Sequence, residues 1–382
     1  MTASIVADLK GFLAMDVLAE ANRMAAEGID VARLEVGEPD HGPPPHVQEA
    51  MQRALAAGRD RYTATEGIPA LREAIARRYL REYDVVVDPE RILVTCGVSP
   101  ALVWTFSAIL ERGDEVLLPD PGYPCYPNVV RFLGGEPRFF PLRAEDGFLI
   151  DVEQALQTAP RARAFLLNSP SNPTGGVQPE SVLERLVADF PGIIVSDEIY
   201  HGLTYGTRAH SILEYTDEAI VLDGFSKRYG MTGWRLGYAI VPERLVSPLR
   251  RLHQNTMLSA SEFLQEAAVS ALDGPQDCVD GMVRSLGQRR RTIIDGLRAA
   301  GLKIHCEPEG AFYVLADARE YTSDSLSFTF EVLRSAHVAA GPGIDFGSRA
   351  EGFLRFSYAA SEADISKAIA RFPTFLAGLK HK

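Results

Sequence analysis

Apolar residues first recur at helical spacing. Val17, Leu18, Ala21, Met24 and Ala25 define an amphipathic helix over Met15 to Ala26 that Gly28 ends. A short apolar stretch, Val31 to Val36, reads as a strand and runs into Gly37-Glu38-Pro39-Asp40 and Pro43-Pro44-Pro45, a rigid loop that regular structure cannot accommodate. Helices are expected over Val47 to Ala57 and from Pro69 or Ala70 onward. The polar linker between them, beginning at Tyr62, suits contact with another chain.

From Arg91 the period alternates. Short apolar runs at Ile92 to Thr95, Glu115 to Leu118, Arg138 to Pro141, Ala164 to Leu167, Ile193 to Ser196, Ala219 to Leu222 and Tyr238 to Val241 read as strands. Helical patterns fall between the earlier ones, at Pro100 to Leu110, Tyr126 to Leu133, Val152 to Gln157 and Pro179 to Asp189. Such alternation predicts an α/β fold with a mostly parallel sheet covered by helices on both faces. After Val241 the character changes. Two long helical stretches, Pro242 to Leu272 and Asp277 to Ala300, precede strands at Lys303 to Cys306 and Phe312 to Ala316, a helix at Ser325 to Ala336, a strand at Leu354 to Ser357 and a last helix from Glu362 to Leu379. The expected organisation is therefore a large domain over 46–275 and a smaller α+β domain over 276–382, with the N-terminal segment 1–45 packing on the latter.

Composition narrows the function classes. The 382 residues, 46% hydrophobic and 24% charged, suit a soluble globular protein with a sizeable core, and a net charge of -12 argues against a nucleic-acid or anionic-membrane surface. Cys96, Cys125, Cys278 and Cys306 form no Cys-x-x-Cys pair, so neither a disulfide framework nor a zinc site is signalled, and a reducing cytoplasm fits. His41 and His46 flank the proline run without a third ligand at a suitable spacing. No stretch is long and apolar enough to span a bilayer, and Met1 to Asp16 has no long apolar core, so membrane insertion and secretion are not expected.

In sheets of this kind ligands gather beyond the carboxyl ends of the strands, which makes the residues ending each apolar run the candidates for chemistry. Ile92 to Thr95 leads into Cys96-Gly97-Val98-Ser99-Pro100, where the amides of Val98, Ser99 and Ala101 could serve an anion at a helix N-terminus; Pro100 has no N–H. Ala164 to Leu167 leads into a proline-stiffened turn in which Asn172 is either a turn former or a pocket amide. Ile193 to Ser196 leads into Asp197, a buried carboxylate that needs a cation, either Lys227 or the ring nitrogen of a cofactor. Tyr200 is either a packed aromatic or a hydroxyl donor to that ring.

Ala219 to Leu222 leads into Ser226-Lys227, followed by backbone breaks at Gly230, Gly233 and Gly237, with Arg235 eight positions past the lysine. Taken alone, Lys227 is an exposed lysine beside a turn. A lysine in a partly desolvated pocket, however, loses its proton readily and condenses with a carbonyl, while a serine hydroxyl and an arginine suit a phosphate. An aldehyde that carries a phosphate describes pyridoxal phosphate. Asn172, Asp197 and Lys227 are one structural unit apart and should emerge on one sheet edge.

The runs Asn168-Ser-Pro-Ser-Asn-Pro-Thr-Gly-Gly176, Ser196-Asp-Glu-Ile-Tyr200 and Ser226-Lys-Arg-Tyr-Gly-Met-Thr-Gly-Trp-Arg-Leu-Gly237 resemble the class I and II aminotransferases of pyridoxal phosphate fold type I. So do Leu34 to Asp40, Tyr62 to Ala70, Pro121 to Tyr126 and Leu354 to Ser357, in the family's order across almost the whole chain. The resemblance implies an aspartate-aminotransferase-like fold and transfer of an amino group from an α-amino acid to a 2-oxo acid by a ping-pong mechanism, with Lys227 as the Schiff-base lysine. It also implies Asp197 at the ring nitrogen, Asn172 and Tyr200 at the ring oxygen, and Tyr123 on the ring face. Ser226, Arg235 and the amides near Val98 and Ser99 would hold the phosphate, and Tyr62 would reach in from the second subunit of a homodimer with shared sites. Arg355 would grip the substrate α-carboxylate, with Gly37 bringing backbone close to it.

Two alternatives accompany this reading. One is a carbon-sulfur lyase of the same fold; the other is a cofactor-binding regulatory domain that binds DNA, which the acidic balance and the absence of an apparent helix-turn-helix before Leu34 disfavour. Gly341 to Gly347 nearly imitates a dinucleotide-binding loop, but Phe346 stands where its third glycine belongs. No second cation for a dicarboxylate side chain can be assigned among Arg131, Arg208, Arg228 and Arg251, which leaves a preference for a neutral or aromatic donor with 2-oxoglutarate or pyruvate as acceptor.

Overall fold

The computed structural model describes Val6 and residues 9–379; the expectation for the N-terminal segment lies partly outside these, at residues 1–5, 7 and 8. Twelve strands are found among the described residues. In chain order they are β1 (Ala32–Arg33), β2 (Ile92–Thr95), β3 (Glu115–Asp120), β4 (Glu136–Pro141), β5 (Ala164–Asn168), β6 (Ile193–Asp197), β7 (Ile220–Gly224), β8 (Gly237–Ile240), β9 (Tyr313–Asp317), β10 (Val338–Ala339), β11 (Gly341–Pro342) and β12 (Phe353–Ser357).

Seven of these form one sheet in the order β2-β8-β7-β6-β5-β3-β4. The pairs β3 with β4, β3 with β5, β5 with β6 and β6 with β7 are parallel, and β8 runs antiparallel to both β7 and β2. Apart from the edge strand β4, which is mostly exposed or half-buried, the strands read as apolar runs because both faces are buried. Phe165 and Leu167 of β5 pack into one core, whereas Ala164 and Leu166, pointing the other way, pack into a second core with Leu102, Phe106 and Val130 from the covering helices. A three-stranded antiparallel sheet, β11-β12-β9, forms a separate layer, and β1 pairs with β10 alone.

Several boundaries differ from the sequence reading. The strand expected over Val31 to Val36 is only Ala32–Arg33, since its sole partner, β10, is two residues long. Lys303 to Cys306 is not a strand: Lys303 exchanges backbone hydrogen bonds with Asp317 at a single bridge, and the chain then turns toward the bonds that Glu309 and Gly310 donate to Gly175. The stretch Pro242 to Leu272 is two helices, Glu243–Thr256 and Glu262–Asp273, because Leu258 adopts φ +70°, which a right-handed helix cannot continue through. The helix expected from Pro100 begins at Val98, two residues earlier. No helix among the described residues is long and apolar enough to cross a membrane.

Candidate active site

The parallel strands β5, β6 and β7 deliver their last residues to one edge of the large sheet. Asn168 closes β5 and organises that edge: its Nδ2 donates to the carbonyl of Asp197 at 3.0 Å, and its Oδ1 accepts from the amide of Asn172 at 2.9 Å, turning the chain back over the strand end. Asp197, the last residue of β6, accepts a hydrogen bond from the hydroxyl of Tyr126 at 2.8 Å on Oδ2 and from the amide of Ile199 at 3.3 Å on Oδ1. Lys227 follows β7 by three residues, and its Nζ donates to the carbonyl of Gly37 at 2.7 Å. All three lie on the wall of one cavity of about 300 Å³, together with Gly37, Val98, Ser99, Tyr123, Tyr200, Ser226, Arg235 and Arg355.

Burial sets the electrostatics. Loss of solvent, with Arg355 and Arg235 nearby, brings the Lys227 amine down to about 8 against the pull of Glu38 and Asp197, so about one amine in ten is uncharged at pH 7, far more than for an ordinary lysine. Burial likewise raises the Asp197 carboxyl to about 6, even though the Tyr126 and Ile199 hydrogen bonds favour its ionised form. A cation placed beside Asp197 would reverse that shift.

Arg355, on β12, comes from the small sheet. It is 5% exposed, its Nη1 donates to Oδ1 of Asn172 at 3.0 Å and its Nη2 to the carbonyl of Glu35 at 2.6 Å. Its Nε has no partner, and no carboxylate of the described residues forms an ion pair with it. The guanidinium lies between the rings of Tyr313 and Phe346, 4.4 and 4.6 Å from their centroids. A buried guanidinium without a counter-ion is costly, so the geometry calls for an anion from outside the chain.

A second cation, Arg235, meets the cavity at the start of the helix Val98–Ile109. Gly97, with φ +95°, lets the guanidinium of Arg235 lie against the backbone: a Cβ at Gly97 would stand 2.6 Å from its Nη2. Arg235 itself adopts φ +55° and is held by a 2.8 Å bond from Nη1 to the carbonyl of Thr232. Val98 and Ser99, the first two helical residues, line the same cavity as Ser226, and at a helix start their amides have no intrahelical acceptor. Ala101 is not part of it. With the helix starting at Val98, the amide of its fourth residue is committed to the helical ladder, and the Ala101 side chain packs in the core.

Gly37 has to be glycine, since a Cβ there would come within 1.7 Å of the Tyr313 hydroxyl. That hydroxyl also contacts the hydroxyl of Tyr200 at 2.9 Å. Tyr123 stacks at a tilt on Phe12, with ring centroids 5.8 Å apart, and Tyr62 is 83% exposed, away from the cavity of its own chain. Sequence reasoning missed Tyr126, Asn168 and Tyr313 as site residues, and Phe12, Met15, Asp345 and Phe346 as wall residues. A signal existed for Asn168 and Tyr126, which both sit inside conspicuous turn sequences; Tyr313 lies in an all-buried strand and carried none.

The description "Aminotransferase class I and II" matches residues 29–372. The chain belongs to this family. It is 39% identical to the aspartate/prephenate aminotransferase of Thermus thermophilus over 94% of each chain, and 36% identical to a (5-formylfuran-3-yl)methyl phosphate transaminase of Methanocaldococcus jannaschii over 97% of this chain and 98% of that one. The solved aspartate aminotransferase from Thermus thermophilus with maleate superposes with a TM-score of 0.93 at 38% identity, covering 98% of this chain and 99% of that one. The family is pyridoxal phosphate-dependent, and the relatives' names favour amino-group transfer over the carbon-sulfur lyase reading. These relatives, similarly distant, carry different substrate names, so membership alone does not select a substrate.

Proposed function

We propose that this aminotransferase holds pyridoxal phosphate in the described cavity and moves the amino group of an α-amino acid to a 2-oxo acid in two half-reactions at the same site. The observation that carries the proposal is the pairing, across one cavity, of an amine lowered to about 8 with a buried guanidinium that lacks a carboxylate partner. The donor set fits the cofactor: Arg235, Ser226 and the Val98 and Ser99 amides for a phosphate, Asp197 for a cationic ring nitrogen, Asn172 and Tyr200 for the ring oxygen, and Tyr123 for a ring face. When bound, the cofactor supplies an aldehyde for the amino group and an electron-withdrawing ring.

The chain's own residues do the rest. Arg355 binds the substrate α-carboxylate through its two-pronged face and so fixes the α-carbon. Lys227, whose lowered proton affinity leaves more free amine near neutral pH than an ordinary lysine has, takes the proton from that carbon and returns it when the reaction runs the other way. Its bond to the Gly37 carbonyl directs the amine onto the cavity wall. Asp197 stays ionised once it faces a cation, and Tyr126 keeps it oriented.

We further infer a homodimer in which Tyr62 completes the partner's site: Tyr62 is 83% exposed, and the next residue, Thr63, donates its amide to Ser259 Oγ in a stretch where Met257 and Leu258 are also exposed, which suits an interface. The division at residues 45 and 275 and a cytoplasmic location belong to the same reading, the latter supported by four cysteines that all stand as free thiols. Loading the protein with pyridoxal phosphate and adding single amino acids tests the function. Loss of the cofactor's yellow colour with release of the matching 2-oxo acid is expected; colour that no amino acid discharges would defeat it.

A further inference from the structure

Lys227 stands in a loop whose two ends are tied to one helix. Asp223, the last residue but one of β7, accepts from Nη1 of Arg78 at 2.8 Å, and Arg228, the residue after the lysine, donates from Nη1 to Oε2 of Glu82 at 2.7 Å. Arg78 and Glu82 lie one turn apart on the helix Pro69–Tyr83, where Nε of the arginine donates to the same Oε2 at 3.1 Å. The stretch from Asp223 to Arg228, with Ser226 and Lys227 inside it, is thus closed by a chain of ion pairs running through that helix. Arg228 also meets the turn after β6, which runs from Asp197 through Tyr200. A Cβ at Gly202 would stand 2.9 Å from its Cδ and Nε, so the side chain lies directly on that backbone. Arg228 is not on the cavity wall, and whatever it does for the reaction it does through its neighbours.

We propose that Arg228 is a positioning residue for Lys227: bridged to Glu82 and seated on Gly202, it fixes the lysine's backbone relative to the turn that carries Asp197 and Tyr200. The proposal rests on the transfer reading and deepens it. Moving a proton between an amine and the α-carbon requires the two atoms nearly in contact, and a misplacement of about 1 Å can cost about 100-fold in rate. Phe225 and Tyr229, both buried, anchor the loop in the core, and the amides of Tyr229 and Met231 donate to the Phe225 carbonyl. Arg228 adds the polar link from this loop to the helix Pro69–Tyr83 and to the turn after β6. Burial works against the Glu82 charge, but Arg78 and Arg228 hold its carboxyl down to about 2, so the bridge stays charged across the neutral range. Arginine suits the task, since its planar fork can bond a carboxylate while its flat face rests on a backbone; a lysine offers only a point charge.

The test compares the unsubstituted protein with Arg228→Met, Arg228→Lys and Glu82→Gln. In the cofactor-loaded proteins, discharge of the colour is timed with the standard amino acid that reacts fastest with the unsubstituted chain, in its ordinary and α-deuterated forms. Amide exchange across 224–231 is followed in the cofactor-free proteins by mass spectrometry. Arg228→Met should slow discharge at saturation by about 10- to 100-fold, with the half-saturating concentration moved by less than about threefold because Arg355 is untouched. The deuterium effect should be retained or grow, since the slowed step is the proton transfer, and exchange across 224–231 should quicken by about tenfold. Arg228→Lys should recover part of the rate, and Glu82→Gln should slow discharge in the same manner by a smaller factor; these two carry the test if Arg228→Met does not fold. Discharge unchanged in Arg228→Met and Glu82→Gln would overturn the proposal and leave the transfer reading intact. So would slowed discharge in which the deuterium effect vanishes or the half-saturating concentration rises in step. Colour that no amino acid discharges from the unsubstituted protein would defeat the transfer reading and this proposal with it.

Discussion

Two buried arginines in this chain have opposite surroundings. Arg78, 1% exposed, meets Asp223 at 2.8 Å, Glu82 at 3.1 Å and the Tyr238 hydroxyl at 2.8 Å, and Arg228 joins the cluster through Glu82 at 2.7 Å. Although burial works against it, Arg78 and Arg228 hold the Glu82 carboxyl down to about 2. Arg355 is also buried, and each of the two arginines leaves one nitrogen without a partner, but only a side-chain amide oxygen and a backbone carbonyl accept from Arg355. Charge that its neighbours neutralise belongs to the fold. Charge that they leave uncompensated is, on the function proposed above, kept for a ligand, and in this molecule it sits on the same cavity as the perturbed Lys227 and Asp197.

The contrast can be broken most severely at the amine. Lys227→Ala should lower kcat by about 1,000-fold or more, the scale of losing both the nucleophile and the base, with little change in thermal midpoint. Next come the two arginines, which should fail in opposite ways. Arg355→Leu should lower kcat/KM by about 100-fold or more while leaving stability equal or improved, since it removes an uncompensated buried charge. Arg78→Leu should cost about 3–5 kcal/mol in denaturant unfolding by stranding Asp223 and Glu82. If both variants lost stability alike, the distinction between them would collapse.

The effect of pH on the cofactor-free protein sharpens the same point. The Asp197 carboxyl is higher when folded, about 6, than in an unfolded chain, so between about pH 4 and 6 the folded state holds the extra proton. Stability should therefore fall as pH rises through that window, by at most about 3 kcal/mol, and Asp197→Asn should flatten the slope. Lys227 acts in the other direction at higher pH: its lowered value means that stability rises between about 8 and the ordinary lysine range. The smallest effect is expected at Tyr126→Phe. Removing one hydrogen bond should cost about 1 kcal/mol and shift the Asp197 titration upward.

Much of the site could be read from local pattern because each residue follows directly on a strand. Asn172, Asp197 and Lys227 stand just past or at the ends of β5, β6 and β7, where an apolar run giving way to a polar residue marks the sheet edge. What local pattern could not supply is contact over long separations. The Lys227 bond to Gly37 spans 190 positions and the Arg355 bond to Glu35 spans 320, so the roles of Tyr313, Phe12 and Met15 emerge only when three remote segments meet. Ala101 was misjudged for a smaller reason. Pro100 invites a helix start at that residue, but Gly97 with φ +95° lets the helix begin at Val98. The break at Leu258 is likewise invisible to periodicity, since residues on both sides keep a helical pattern.

The central assignment is the identity of the reactive amine. Loading the protein with pyridoxal phosphate, reducing it with borohydride and mapping the modified peptide by mass spectrometry locates that amine directly. A single pyridoxyl group on Lys227, abolished when an amino acid discharges the colour before reduction, is expected. A label on any other lysine, or one indifferent to the amino acid, would contradict the assignment.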